Sequence, residues 1–399
     1  MVSTGEEAGP SRWWDVVQQD GGIALSLAGK ASTVSACDPI TARDEVGMVQ
    51  SRTSTNSFPL GRLAIIAAVA GVAAIGFAYT AGWLSPERLT PKKMVAALAP
   101  PGGPALGYRR NHAKGICFTG TFAANGEGSA LSSAQVFAQG QYPVVGRFNL
   151  ATADPHAADA MVRVRGIGIR ITTPDGQEWR SAMIDAPIFP VSTPQDFYEL
   201  LTASGSKDPE AMKKFVAAHP GFVTFVGWAK SAPWTASYAE EPYNSLNSFL
   251  FVDGSGAKHP IRWSLVPAAQ PVAITPEELA KRGPDFLEQE ITQRVAAGAQ
   301  HWSLVVTVAN PDDQTADPNK AWPANRRTLN VGTLTVQQIE PERDGPCRDI
   351  NFDPTVLPSG ITTSDDPFPA ARSAAYSRSY NSRTAEASYY PRTATGGKP

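Results

Sequence analysis

The stretch RRNHAKGICFTGTF, from Arg109 to Phe122, joins two patterns at one point. Its first half is basic and carries a histidine. In its second half Ile116, Phe118 and Phe122 recur at the two-residue period of a half-buried strand. Further runs of this kind follow: YPVVGRFNL from Tyr142, MVRVRGIGIRI from Met161, then SFLFVDG, PIRWSLVP, HWSLVVTVA and RTLNVGTLTVQQI. Asp-Gly and Gly-Ser pairs separate several of them, as antiparallel hairpins require. Helical stretches lie between. TPQDFYELLTAS opens on Thr-Pro, DPEAMKKFVAAH ends before His219-Pro220, and TPEELAKRGPDFLEQEITQRVAAGA starts with Thr275, Pro276 and Glu278 placed as a capping box. Strands in this number with inserted helices predict an α+β domain built on a barrel or a large curved sheet.

Composition agrees with that architecture. Of 399 residues, 34 are Gly and 34 Pro, so turns are frequent and a purely helical bundle is excluded. With 42% hydrophobic residues the chain can bury a sizeable core, and at 18% its charged share is below the usual quarter or so. A formal charge of −2 gives no field that would draw nucleic acid. Three cysteines without a CxxC pair exclude a structural zinc site and a disulfide scaffold. No Gly-rich phosphate loop and no internal repeat are present.

Upstream, Leu63 to Leu84 reads LAIIAAVAGVAAIGFAYTAGWL, 22 residues without a charge. As a helix it would be about 33 Å long, the thickness of a hydrocarbon core. It predicts a membrane span or uncleaved signal anchor, with a cleaved signal or a core helix as the other readings. Arg52 and Arg62 before it and Arg88, Lys92 and Lys93 after it leave the positive-inside count nearly even. Residues 1–60 are rich in Ser, Thr, Gly and acidic groups without periodicity, and read as disordered. Met48, followed by QSRTSTNSFPLGR, would make an ordinary basic lead-in, which would make the first 47 residues an over-called start. The folded domain is expected over 88–384, outside the cytoplasmic membrane, with a loose polar tail over 385–399. In that compartment Cys117 and Cys347 could pair.

Four stretches carry chemistry. RRNHAKG holds Arg109, His112 and Lys114, although a histidine among basic residues is by itself more often a surface or core residue than a catalyst. VVGRFNL sets Arg147 beside Phe148. MIDAPIFPVSTPQDF places Phe189 and Phe197 eight apart around a Pro-rich turn, where core packing is the plain reading. FDPTVLPSGITTSDDPFPAARSAAYSRSYNSR sets Arg372 and Tyr376 four apart on a short Ala-rich helix, hence on one face and within contact.

In this order, RxxHAKG, RF, PIF with Phe197 beyond it, and FxPxxxPxGI followed by ARxxxY resemble the haem catalase superfamily from about Arg88 to Arg383. The resemblance is closest to the small catalase-related peroxidases. It implies an eight-stranded antiparallel barrel with surrounding helices and a haem cofactor. It further implies His112 as distal acid and base, Tyr376 as axial iron ligand with Arg372 against its oxygen, Arg109 and Arg147 on the haem propionates, and Phe189 and Phe197 on the distal side and haem face. The residue types suit these roles. A guanidinium beside a phenol favours its anion, and an uncharged imidazole can take and return a proton near neutral pH.

Two positions depart from the family. Ile184, followed by Asp185, stands where catalases carry an Asn that helps orient peroxide, and Asn149 stands where a Ser usually hydrogen-bonds the distal histidine. A distal pocket one polar group poorer favours peroxidase turnover over hydrogen peroxide dismutation. The expectation is therefore a membrane-anchored haem peroxidase. It would reduce hydrogen peroxide or organic hydroperoxides with a small-molecule reductant, keep weak catalase activity and protect against oxidative stress. The other readings are a lipid hydroperoxide isomerase of the allene oxide synthase type and a non-catalytic haem-binding barrel.

Overall fold

The computed structural model describes residues 60–80, 85, 88–100 and 102–393. Residues 1–59 and 81–84, on which the disordered segment and the end of the apolar run were expected, and the last six residues lie outside these. Contacts divide the chain into two units, one of which contains residues 20–88. Its described part, apart from Ser85 and Arg88, is helix α1, Leu60–Thr80. Over Leu63–Thr80 its mean hydropathy is 2.1, and among the described residues it is the one helix long and apolar enough to cross a membrane.

The other unit is the α+β domain. Its strands are β1 Gly115–Ala124, β2 Gly140–Leu150, β3 Arg165–Thr172, β4 Glu178–Ile184, β5 Trp234–Thr235, β6 Tyr243–Asn244, β7 Phe249–Val252, β8 Lys258–Pro267, β9 Ala273–Ile274, β10 Gln300–Val308, β11 Thr328–Pro341 and β12 Ile361–Thr363. Eight of them close a ring in the order β1-β2-β3-β4-β6-β8-β10-β11, every pairing antiparallel, with β7 and β12 continuing from β8 as a side sheet. Closure removes the free edges that an open sheet of this size would expose. Alternation along the strands fills the interior with aromatics. Phe148 lies 4.8 Å from Phe118, 5.3 Å from Tyr238 and 5.8 Å from Trp302 between ring centroids, all fully buried. The same alternation turns Arg147 and Asn149 to the outside of β2. The barrel is therefore solid, and any site must lie on its outer face.

Helices cover that face: α2 Pro91–Ala97, α3 Pro194–Ser204, α4 Ala211–Ala218, α5 Phe222–Ser231, α6 Pro276–Lys281, α7 Phe286–Ala297 and α8 Phe368–Ala385. Thr193 and Thr275 cap α3 and α6 with reciprocal side-chain bonds to Asp196 and Glu278. The single helix expected from Thr275 is broken into α6 and α7 around Gly283-Pro284, where Gly283 has φ +102° and the proline cannot continue a helix. Met161 ends a 3-10 turn, Asp159–Met161, and Val162 to Val164 link it to β3 rather than extending the strand. Strand β4 and helix α5 were not anticipated. Helix α8 is also longer than the short helix expected, at 18 residues.

Cys117 and Cys347, 230 residues apart, form a disulfide with Cα atoms 5.3 Å apart. The expectation of a loose tail from 385 is corrected as far as Thr393. Tyr390 packs on Tyr108 at 4.2 Å, Arg392 bonds Asp344 and Asp349, and the Thr393 N–H donates to Asp344. These contacts bring residues 390–393 back to the loop following β11.

Candidate active site

His112 stands on the turn that feeds β1. Its backbone is left-handed at φ +54°, a conformation that is uncommon for a residue with a Cβ. Two neighbours hold it. The Asn111 side chain accepts from its N–H at 2.9 Å, and Arg147 donates to the carbonyls of His112 and Ala113 at 2.8 and 3.1 Å. Gly115 leaves room for that guanidinium, since a Cβ there would lie 2.7 Å from Arg147 Cζ and closer still to the Phe148 carbonyl. One residue further back, Lys114 is buried against Asp159 at 2.8 Å and also donates to the carbonyls of Ala157 and Pro284. The Pro284 bond and a further ion pair with Asp285 tie the histidine turn to the loop that starts α7.

The ring of His112 meets the Asn149 Oδ1 through Nδ1 at 2.6 Å. Asn149 Nδ2 donates to the Arg147 carbonyl, which leaves Oδ1 as an acceptor towards the ring. An amide oxygen only accepts, so Nδ1 carries the proton and Nε2 keeps its lone pair. Asn149 thus does for this histidine what a hydroxyl acceptor would do. Gly166 on β3 clears the space, a Cβ there being 2.5 Å from Asn149 Oδ1. Burial, with further repulsion from Arg147, Arg372 and Arg109, lowers the imidazole pKa to about 4, so the ring is neutral at physiological pH.

On the opposite side, α8 aligns Arg372 and Tyr376. Arg372 Nη2 donates to the Tyr376 oxygen at 3.2 Å and to the Ala182 carbonyl at 2.8 Å, while Nη1 donates to Asn247 Oδ1 at 2.6 Å. Asn247 in turn donates to the buried Asp366 at 3.0 Å. The turn that presents Asn247 contains Leu246 at φ +58°, with His112 the second non-glycine residue of positive φ among the described ones. It follows β6, which joins β4 through the single pair Ile184–Asn244. The thinnest seam of the barrel therefore lies beside the site.

Between the two sides is a cavity of about 210 Å³. All seven residues singled out from the sequence line it: Arg109, His112, Arg147, Phe189, Phe197, Arg372 and Tyr376. Phe189 and Phe197 pack at 5.2 Å between centroids, with Ile184 in the same wall. Sequence reasoning missed three contributors. Arg383 lines the cavity, seven residues beyond Tyr376 and so on the same helix face, a spacing that could have identified it. Glu342 bonds Arg109 Nε at 3.1 Å and Arg147 Nη2 at 2.6 Å. Asn247 reaches Arg372 from 125 residues away and leaves no local signal.

Arg109, Arg147 and Arg383 repel one another here, with Glu342 as the carboxylate bonded to two of them. Burial, followed by the charge of Arg383, pushes Arg109 down to about 9, and the two guanidiniums hold Glu342 below its usual range. Arg147 Nε is buried without a partner. Three cations against one anion leave a surplus of two positive charges, which a dianion would neutralise.

The fold and this arrangement define an antiparallel barrel with an outer-face cavity set between a neutral histidine and an arginine-paired tyrosine. The chain belongs to the catalase family, whose model, described as catalase, matches residues 106–390. It is 34% identical to a catalase-related peroxidase of Synechococcus elongatus over 81% of this chain and 95% of that one. A catalase-related peroxidase of Mycolicibacterium paratuberculosis is 32% identical over 74% and 95%. Among solved structures, catalase A from Saccharomyces cerevisiae superposes with a TM-score of 0.62 at 18% identity, covering 69% of this chain. The chain spans 61% of that catalase, so the shared part is the barrel fold. The protein is an oxidoreductase acting on peroxide, with activity of the peroxidase or catalase type.

Proposed function

We propose that the protein is a haem peroxidase that reduces hydrogen peroxide or organic hydroperoxides with a small organic donor and retains little catalase activity. The observation that carries this is one cavity with the neutral His112 on one wall, Arg372 bonded to Tyr376 on the other, and a surplus of two positive charges at its rim. The fit to haem rests on that rim. The two propionates would balance Arg109, Arg147 and Arg383, and would offer an acceptor to the unpartnered Arg147 Nε. Tyr376 would hold the iron through the oxygen that Arg372 hydrogen-bonds, and Phe189 and Phe197 would pack on the distal side. Bound there, haem would supply the redox chemistry that receives oxidising equivalents from peroxide.

The chain's own part is proton transfer and positioning. His112 Nε2 takes the proton from the near oxygen of the peroxide and returns it to the far oxygen as the O–O bond breaks. Asn149 keeps Nδ1 protonated throughout, so the same nitrogen serves as base and then as acid. Ile184 offers no hydrogen bond to a second peroxide molecule, which disfavours dismutation and leaves the donor to complete the cycle.

The disulfide supports an oxidising compartment. Together with α1 it supports a single-pass anchor and an extracytoplasmic domain, where the enzyme would protect the cell against oxidative stress. The test is the absorption spectrum of the purified protein before and after peroxide, with and without a reductant dye. A haem band that peroxide changes and the dye restores is expected. Purification without haem after growth in haem-sufficient medium would overturn the proposal.

A further inference from the structure

The three rim arginines come from distant parts of the chain, yet one stretch meets them all. It runs from Glu342 to Ile350, directly after β11, and contains no helix or strand. Glu342 bonds Arg109 and Arg147. The carbonyls of Cys347 and Ile350 accept from Arg109 at 3.0 and 3.2 Å, and those of Arg348 and Ile350 accept from Arg383. Among the described residues, the guanidiniums of Arg109 and Arg383 hydrogen-bond to nothing outside this stretch. A carbonyl holds a guanidinium in place without cancelling its charge, so the surplus at the rim is kept for an anionic guest.

The disulfide fastens this stretch to the barrel. Cys347 lies within it and Cys117 on β1, both fully buried, with Ile350 and Phe352 packed round the bond. Gly345 lets the backbone pass close by, since a Cβ there would lie 2.7 Å from Cys117 Sγ. Apart from the rim arginines and Cys117, the hydrogen bonds of the stretch run within its own turns, to the end of β11 and to residues 390–393. Its carbonyls point where its backbone conformation sends them, and the link to β1 is the covalent restraint on that conformation.

We propose that the Cys117–Cys347 disulfide positions the rim, so that the chain holds haem tightly only once these two thiols have been oxidised. This rests on the haem reading above. The thiols exchange with an external disulfide: Cys117–SH + Cys347–SH + RSSR → Cys117–S–S–Cys347 + 2 RSH, two electrons and two protons passing to RSSR. The cofactor is then retained in the oxidising compartment and not before it.

The first test compares wild type with the double variant Cys117→Ala, Cys347→Ala, both loaded with haem and mixed with an excess of an apo-acceptor protein. Haem should leave the variant roughly tenfold faster or more. The absorption band of the haem still bound, set at Tyr376, should keep its position. Ile291→Ala, in the barrel core, controls for lost stability and should lower the unfolding temperature without quickening transfer. The second test needs no substitution, and decides the matter if the double variant does not fold. Wild type is equilibrated in graded mixtures of reduced and oxidised glutathione, and its free thiols are counted by alkylation. Coupling is reciprocal, so the ratio [GSH]²/[GSSG] at half-reduction should be about tenfold higher with haem bound than without. Equal transfer rates in variant and wild type, equal quickening by Ile291→Ala, or a midpoint that haem does not shift would overturn the proposal. A fully oxidised wild type that takes up no haem would instead sink the haem reading. Hydrogen exchange at residues 342–350 in the two redox forms would still decide whether the disulfide orders the rim.

Discussion

The two walls of the cavity are built on opposite principles. On the tyrosine side every polar group is answered by another: Asp366 by Asn247, Asn247 by Arg372, and Arg372 by Tyr376 and the Ala182 carbonyl. On the histidine side one hydrogen-bonded pair, His112 and Asn149, is set among Ile184, Phe189, Phe197 and the α5 aromatics. The first wall stabilises a charge in a fixed place. The second keeps one group uncharged and ready to exchange a proton, with little else to hydrogen-bond a guest. The difference teaches where substitutions should be absolute and where they should shift a balance.

Breaking the charged wall should have the largest effect. Tyr376→Phe keeps the ring volume and removes the oxygen that Arg372 supports, so stable haem binding is expected to be lost. The haem content of protein purified by the same route measures this. Full haem with an unchanged spectrum would move the ligand elsewhere, with Tyr380 the nearest other phenol in the cavity lining.

Breaking the uncharged wall should leave the haem and remove the reaction. His112→Ala is expected to cost roughly 10²–10⁴-fold in peroxide-dependent dye oxidation, the usual worth of a positioned acid or base. A loss below about tenfold would reduce His112 to a packing residue. The pH profile sharpens the point. A base must be neutral to accept a proton, and this imidazole protonates at about 4 rather than near its ordinary 6.5. Activity should therefore hold from neutrality to about pH 5 and fall through pH 4. An acid limb centred near 6.5 would show that the buried histidine does not control the rate.

The contrast also explains what could be read from the sequence. The residues on both walls came from short stretches in which spacing and side-chain type coincide, as in Arg372 and Tyr376 on one helical face or Arg147 within an apolar strand. In the structure, strand parity places Arg147 and Asn149 outside the barrel. Glu342 and Asn247 were not legible, because each matters only through contacts made by residues more than a hundred positions away. Helix α5 carried its apolar spacing openly, yet a short apolar run after His219-Pro220 does not separate helix from strand. The split at Gly283-Pro284 was legible from turn chemistry, and the capping box ahead of it drew the single-helix reading instead.

The rim joins the two walls, and Glu342→Gln tests its charge. The substitution keeps the shape and removes the one anion bonded to Arg109 and Arg147. A haem dianion should then bind more tightly, by about tenfold for one unit of charge at partly solvated range. The rate of haem transfer to an excess of an apo-acceptor protein reports this and should slow accordingly. Faster transfer would mean that Glu342 chiefly holds the arginines in place, and that its loss lets them scatter.

The smallest expected effect lies where this chain leaves its family, and it bears most directly on the comparison. Ile184→Asn gives the uncharged wall a donor and an acceptor, making it resemble the other. A second hydrogen peroxide molecule could then be held while it is oxidised to dioxygen, and the ratio of dioxygen evolution to dye oxidation should rise several-fold. The new amide also faces Phe189 and Phe197, and left unpaired in that surround it would cost roughly 1–3 kcal/mol of stability. Thermal unfolding must therefore accompany the electrode and absorbance measurements. A rise in the ratio with unfolding little changed would show that one missing hydrogen bond sets the balance between the two activities. An unchanged ratio in a folded, haem-replete variant would remove Ile184 from the explanation. The bias would then follow from the apolar residues around it, which exclude a second hydrated peroxide whether or not an amide is present to receive it.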